Sequence, residues 1–391
     1  MVVLLSSSRR SYARKRRFHE SFCTDGFASG ALRCAIGLVS MADIAKARDI
    51  TAKDIVRPKR SDLRTVVAEF ATPTWSASAW QFTTSLGLFL FACAAMHWAY
   101  PRSYLLTLAL CVPAGGLLVR LFIIQHDCGH GAFFRSARAN DLVGRVCSLF
   151  TWTPYANWRR QHAQHHGAWN NLDRRQSGAD IYSSCLTVRE YLALPRWRQR
   201  LYRFARHPLV ANLLLPPFIF MLLYRLPFDT PSTWSRERRS VWATNGAILL
   251  VFTVGGMLLG LRQVLLVQVP VMIVASIIGV WLFSIQHRFE GALWVRQSAW
   301  NATSASLDGA SFLRLPKVLQ WFTGNIGFHH IHHLNPRVPN YRLQECHEAV
   351  PLLASVPTLG LAAGIRSLHL ALWDEDRARL VRFDEIASAI R

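Results

Sequence analysis

No two cysteines of this chain stand in CxxC spacing, no HExxH or paired Glu-x-x-His element is written in it, and carboxylates are scarce, 23 against 45 lysines and arginines. Each gap removes a class. The eight cysteines (Cys23, Cys34, Cys93, Cys111, Cys128, Cys147, Cys185 and Cys346) are scattered, several of them inside apolar stretches. That is no disulfide framework and fits a reducing compartment. Without HExxH the common zinc-hydrolase helix is missing, and without Glu-x-x-His pairs so is the carboxylate bundle that holds metal pairs in soluble proteins. The N-terminal region contains no apolar h-region of the kind a cleavable secretory leader needs. No internal repeat or low-complexity linker divides the chain.

What is present points to a membrane. The 391 residues are 51% hydrophobic with a mean hydropathy of +0.16, between an ordinary soluble enzyme and a membrane-filling transporter. The formal net charge of +22 is carried overwhelmingly by arginine, and so basic a chain could face nucleic acid or an anionic lipid leaflet. Apolar runs decide between these. A spanning helix needs roughly 20 mostly apolar residues, and residues 82–100, 104–124, 241–261 and 264–285 each come close. Membrane lipids, and no nucleic acid, are the expected surroundings.

Residues 1–40 are rich in Arg and Ser, with Arg9, Arg10, Arg14, Lys15, Arg16 and Arg17 in one cluster and Glu20 and Asp25 the only carboxylates. The composition is transit-peptide-like, but the stretch is read as a basic, disordered extension, or as sequence ahead of a start at Met41. Residues 41–391 then make one membrane domain, opening with a basic, partly helical lead-in over 41–72. The turn near Pro101 and Arg102 holds a single formal charge, whereas 125–240 is crowded with arginine. The positive-inside rule puts that long loop and the N-terminus in the cytoplasm, with a bacterial inner membrane expected. The stretch 208–226 (PLVANLLLPPFIFMLLYRL) is apolar enough for a fifth crossing. One crossing there would separate the histidines before it from those after it, so it is read as interfacial or re-entrant, broken by Pro216 and Pro217 and flanked by Arg206 and Arg225. The tail from Leu343 reads as amphipathic helices ending in a charged stretch.

Ten of the 15 histidines fall in four places: His126 and His130 in HDCGH, His162, His165 and His166 in HAQHH, His287 in QHRFE, and His329, His330, His332 and His333 in HHIHH. On a helix, residues at i, i+3 and i+4 share one face with side chains roughly 5–6 Å apart, so each cluster can offer two or three imidazoles to one point. His126 follows the second apolar run and His287 the fourth, where helix ends emerge at the cytoplasmic surface. So many imidazoles exceed what one ion takes but suit two ions with an open position each, and neutral imidazole suits iron, zinc or copper. A site built almost wholly from histidine at a membrane face points to oxygen chemistry on a lipid-soluble substrate, because an unactivated methylene has no acidic proton to give up. His19, His97, His207, His347 and His369 stand alone and are assigned to structure.

HDCGHGAFF, HAQHH and GNIGFHHIHHLNPRVPNY resemble the three histidine boxes of the membrane fatty-acid desaturases. The first box, with its Asp-Cys-Gly filling, is similar to the Δ12 and ω3 acyl-lipid branch, and QHRFE and GADIYS are similar to stretches of bacterial Δ12 (ω6) desaturases. The likeness runs from about residue 45 to residue 345. It implies that His126, His130, His162, His165, His166, His287, His329, His332 and His333 bind two non-haem irons, leaving His330 over. Some relatives complete the coordination through an asparagine four residues before the fourth-run histidine; here that position is Phe283, and Asn325, four residues before His329, is a candidate replacement. Asp127, Asp173, Asp180 and Glu290 sit beside the boxes and are candidate acceptors for imidazole N–H groups.

Together these readings describe an all-α integral membrane protein, four transmembrane helices in two hairpins under a cytosolic helical cap that holds a His-ligated di-iron site. The resemblance implies O₂-dependent insertion of a cis double bond into a fatty acyl lipid, Δ12 of an oleoyl chain, with electrons from outside. The tail lacks the His-Pro-Gly-Gly signature of an appended cytochrome b5, so a separate ferredoxin or cytochrome b5 donor is implied. Arg159, Arg160, Arg174 and Arg175 near the second box could dock an acidic donor or lipid headgroups, or simply obey positive-inside topology. A related di-iron hydroxylase or carotenoid ketolase would use similar boxes. A metal or haem transporter would place such histidines at mid-membrane, not at helix ends.

Overall fold

The computed structural model describes residue 60, residues 62–175 and residues 184–389. The expected extension over 1–40, most of the lead-in and Asp180 lie outside the described residues. After α1 (Leu63–Ala68) come two long helices, α2 (Trp75–Ala99) and α3 (Tyr104–Gly129), and two shorter ones, α4 (Ala137–Thr151) and α5 (Tyr155–Ala168). Then follow β1 (Leu186–Thr187), α6 (Val188–Leu192), α7 (Arg196–Ala205), a π-helical turn at Val210–Leu214 and α8 (Leu215–Met221). Two more long helices, α9 (Ser235–Leu259) and α10 (Leu261–Ile285), lead into α11 (Ala302–Leu307), β2 (Phe312–Leu313), α12 (Lys317–Phe322) and α13 (His329–Leu334). The chain closes with α14 (Leu343–Ala349), β3 (Thr358–Leu359), α15 (Leu361–Ser367), β4 (Leu372–Asp374), β5 (Arg379–Val381) and α16 (Phe383–Ala389).

The helices α2, α3, α9 and α10 have 25, 26, 25 and 25 residues and are long and apolar enough to cross a membrane; at about 1.5 Å per residue each reaches nearly 40 Å. Their starts and stops are local chemistry. Ser103 caps α3 by accepting the N–H of Leu106, and Gly260, at φ +87, makes the break between α9 and α10 in a conformation that a side chain would oppose. Helix α3 is buried along most of its length and packs against both α2 and α10. By contrast α9 buries only Val241 and Thr244, and leaves Leu249 and Leu258 at 69% and 77% exposure. Helix α7 meets the following helical segment, Val210–Arg225, at a 57° bend, and Pro216 and Pro217 stand in the first turn of α8.

Two small sheets join the helices: β1-β4-β5 and β2-β3. The charged tail is therefore not helical throughout. Its Leu372–Val381 portion is an antiparallel hairpin, because the Asp374 carboxylate accepts the N–H groups of Asp376 and Arg377 and so closes a turn, while Leu372, Trp373, Leu380 and Val381 are buried. A core of Leu63, Val67, Ile331, Leu334, Leu343 and Leu353 ties α1, α13 and α14 together. Buried Arg120 of α3 links α2 to α12, with Nε 3.0 Å from Ser85 Oγ and the guanidinium 4.2 Å from the Trp321 ring.

Close helix contact is spelled out by glycine. A Cβ on Gly115 would lie 2.6 Å from Val274 Cγ1, so α3 and α10 touch where neither can grow. Gly115→Val is expected to destabilise by about 1–3 kcal/mol through overpacking, read as a lowered unfolding temperature of the purified protein. Gly87→Ala, where nothing lies within 4 Å, is expected to leave that temperature unchanged or raise it.

Candidate metal centre

Four elements deliver the histidines. The last turn of α3 brings His126, with His130 just beyond it; α5 presents His162, His165 and His166; the segment after α10 brings His287; and α13 presents His329, His332 and His333. Spacing does the local work: on α13 positions i, i+3 and i+4 face inward, while His330 turns the other way, its Nε2 3.3 Å from Nδ1 of His347.

The imidazoles form two adjoining groups. In the first, His126, His130, His162, His166 and His332 hold their ring nitrogens within 4.8 Å of one another. His165, His287 and His333 make the second, and His329 joins it, with Nε2 2.9 Å from that of His287 and 3.2 Å from that of His333. The rings of His166 and His333, one from each group, stack with centroids 4.3 Å apart. Nε2–Nε2 separations of 3.1 Å (His126–His332), 3.2 Å (His162–His166), 2.9 Å (His166–His332) and 3.2 Å (His165–His287) recur through the cluster. Two nitrogens bonded to one ion at about 2.1 Å and near a right angle lie roughly 3.0 Å apart, which is this spacing.

The electrostatics fit a cation. Burial first, and neighbouring imidazoles second, hold His130, His162, His166, His287, His329, His332 and His333 well below the usual histidine range. Their rings are thus neutral and offer lone pairs. His130 Nε2 is buried without a protein partner. Trp158 stacks on His162 at 4.7 Å and Trp169 covers His287 at 3.8 Å between centroids, so aromatic walls close the cluster.

Of the carboxylates beside the boxes, Asp127 is buried and lies 3.0 Å from His126 Nδ1. Its other oxygen accepts both the backbone N–H and the side-chain amide of Asn340, at 2.7 and 2.8 Å. Asp173 is drawn instead to Arg296, at 2.8 Å, and to the backbone N–H of Gln297, and Glu290 to Arg379, at 3.1 Å. Asn325 gives its amide to the Asn340 carbonyl and accepts from Gln320, away from the imidazoles. Phe283 packs its ring 5.1 Å from His165 and 5.4 Å from His287. Among the arginines near the second box, Arg159 pairs with Asp141 and Arg175 with Glu190, while Arg160 lies over the Trp234 ring.

The model of the family described as fatty acid desaturase matches residues 103–356, which hold all four histidine clusters. The chain belongs to the fatty acid desaturase family. A fatty acid desaturase of Bacillus subtilis (strain 168) is 40% identical over 328 residues, 84% of this chain and 92% of that protein. A chloroplastic omega-3 fatty acid desaturase of Glycine max is 28% identical over 317 residues, 74% of this chain and 64% of its own length. A chloroplastic sn-2 acyl-lipid omega-3 desaturase (ferredoxin) of Helianthus annuus is 28% identical over 256 residues, 60% of this chain and 53% of its own length. The protein is thus an oxidoreductase, a fatty acid desaturase.

Two features of the desaturase escape a reading of the boxes alone. One is a cavity whose wall includes His126, His162 and His329 together with Leu118, Phe122, Ile219 and Met272. The other is Asn340, which clamps Asp127 and accepts from Gln81 Nε2 at 2.7 Å through its own side chain. It stands in NPRVPNY just after HHIHH, so one amide ties the third box to the first. Removing an outer partner of a metal-binding histidine typically costs about 10–100-fold in affinity or activity. Asn340→Ala is expected to lose that much, with metal per purified chain falling alongside turnover, whereas Asn325→Ala is expected to lose less.

Proposed function

We propose that this desaturase inserts a cis double bond at Δ12 of an oleoyl chain in a membrane lipid, using O₂ and electrons from a separate donor. In this reading His126, His130, His162, His165, His166, His287, His329, His332 and His333 hold two irons. Such a pair, when bound, would supply the activation of O₂ needed to remove hydrogen from an unactivated methylene. The observation that carries the reading is the cavity, which touches imidazoles of both groups and is otherwise mainly apolar. A hydrocarbon chain lying there passes both groups of histidines.

The residues of the chain supply the setting. Asp127 accepts at His126 Nδ1 and so keeps the Nε2 lone pair turned inward. Phe122, Trp158 and Phe283 line the cavity and exclude water from the side facing the imidazoles.

Where the long helices end supports membrane insertion with the cluster on the cytoplasmic face. The start of α2 is tied to the third box through Gln81 and Asn340, and the start of α9 to α5 through Ser240, which accepts the Ala156 N–H. The far ends of α3 and α10 carry His126 and lead to His287. Two hairpins with one shared end fit this pattern, and the arginine-rich 125–240 stretch favours the cytoplasm for that end. The bend in the 196–225 segment supports a re-entrant path for it. For the donor, the Helianthus annuus relative names ferredoxin, which supports a ferredoxin, with a cytochrome b5 type as the other option.

Expression in a host that makes oleate, followed by locating double bonds by mass spectrometry, is expected to yield the Δ12 dienoic acid and about two irons per chain. Unchanged lipids from folded, iron-loaded protein would defeat the Δ12 assignment, and hydroxylated or keto products would transfer the chain to the related chemistries. His165→Ala and His332→Ala are expected to abolish activity, and His369→Ala to retain it.

A further inference from the structure

We propose that Gly279 sets how much acyl chain fits beyond the histidines, and with it the chain length and double-bond position that the enzyme prefers. The inference rests on the reading that the cavity holds the acyl chain. Glycine inside a helix costs about 1 kcal/mol relative to alanine, so its presence calls for a reason. At Gly115 and Gly116 the reason is close packing, with Val274 at 2.6 Å and Phe322 at 2.8 Å from the point where a Cβ would sit. At Gly279 no heavy atom lies within 4 Å of that point, and the residue lines the cavity. Gly87 and Gly246 are also open, but both are exposed and neither belongs to the cavity wall.

Position gives this open space a meaning. Gly279 lies seven residues before Gln286 on α10, roughly 10 Å below the histidine end at 1.5 Å per residue. Met272, a further seven residues down, still lines the cavity, as does Ala275 one turn below the glycine. The cavity therefore continues past Gly279, and its side wall there is bare backbone. The polar end of a lipid cannot be left among apolar walls, so it leaves at the histidine end and the methyl end is the part that lies below. A side chain at 279 would project into the path of that segment, leaving room for fewer carbons between the reacting carbons and the methyl terminus.

The test compares full-length Gly279→Ala, Gly279→Leu, Leu223→Trp and Gly246→Leu in cells fed saturated and monounsaturated acids differing by two carbons, with double bonds located by mass spectrometry and metal content measured on the purified proteins. One methylene in an apolar pocket discriminates roughly 10–200-fold. Gly279→Leu is expected to favour the shorter chain by about 10-fold or more, or to move the double bond toward the methyl end, with Gly279→Ala shifting the same way by less and Gly246→Leu unchanged. If Gly279→Leu keeps the original products while Leu223→Trp, which narrows the cavity from another element, alters them, the role of Gly279 is overturned and the acyl cavity stands. If neither alters them, the cavity reading falls as well. Should Gly279→Leu fail to load metal, an unshifted Gly279→Ala in loaded protein overturns the proposal.

Discussion

Nitrogen lone pairs repel one another, and here eight of the nine imidazoles hold a ring nitrogen about 3 Å from a neighbour's, most of them buried. Protonation would relieve some contacts, but burial and the neighbouring rings hold most of these histidines well below their usual range. The arrangement is stable only if cations take up the lone pairs or if the surrounding fold holds the rings against their repulsion. Much of the fold reads as a response to that requirement. Trp158 and Trp169 cover the rings, and Asp127 fixes the outer nitrogen of His126.

The weakest carrier is α13, six residues long, which presents three of the nine imidazoles. So short a helix has little stability of its own. It is held from several sides: by the core shared with α1 and α14, by the Asn340–Asp127 clamp that follows it, and by Arg120, which reaches out of α3 to the Trp321 carbonyl just ahead of it. An arginine buried in a long apolar helix is costly without partners. Its hydrogen bonds to Ser85 and Trp321 turn that cost into a tether between the helical bundle and the third box.

Periodic features were legible in the sequence. The i, i+3, i+4 pattern of HAQHH and HHIHH says which imidazoles share a face and leaves His330 on the other, and continuous apolar runs mark the four long helices, though α2 and α9 begin earlier than their most apolar stretches suggest. Pairings between distant residues were not legible, because sequence adjacency does not say which partner a carboxylate meets. Asp127, Asp173 and Glu290 all stand beside boxes, yet only Asp127 reaches an imidazole, the other two meeting Arg296 and Arg379 more than 80 positions away. Asn340 was hidden for the same reason. The tail hairpin was missed because its turn depends on one side chain, Asp374, within a run that composition alone marks only as charged.

A cavity beside a polar cluster would fill with water if its walls offered open hydrogen-bonding groups. Four of the polar side chains in this wall turn a donor to the protein instead. Thr151 donates to Gln125, Gln161 to the Phe228 carbonyl, Ser276 to the Ile273 carbonyl one turn back, and Gln286 to the Ile326 carbonyl. Each thus has a donor committed to the protein, which leaves the surface between the leucines and phenylalanines less polar than its residue names suggest. A hydrocarbon chain entering there gives up no hydrogen bonds and takes none from the wall, whereas a polar group would lose its water without compensation. Chain selection along the apolar walls rests on shape, so the one stretch of wall without a side chain bears on how far a chain can go.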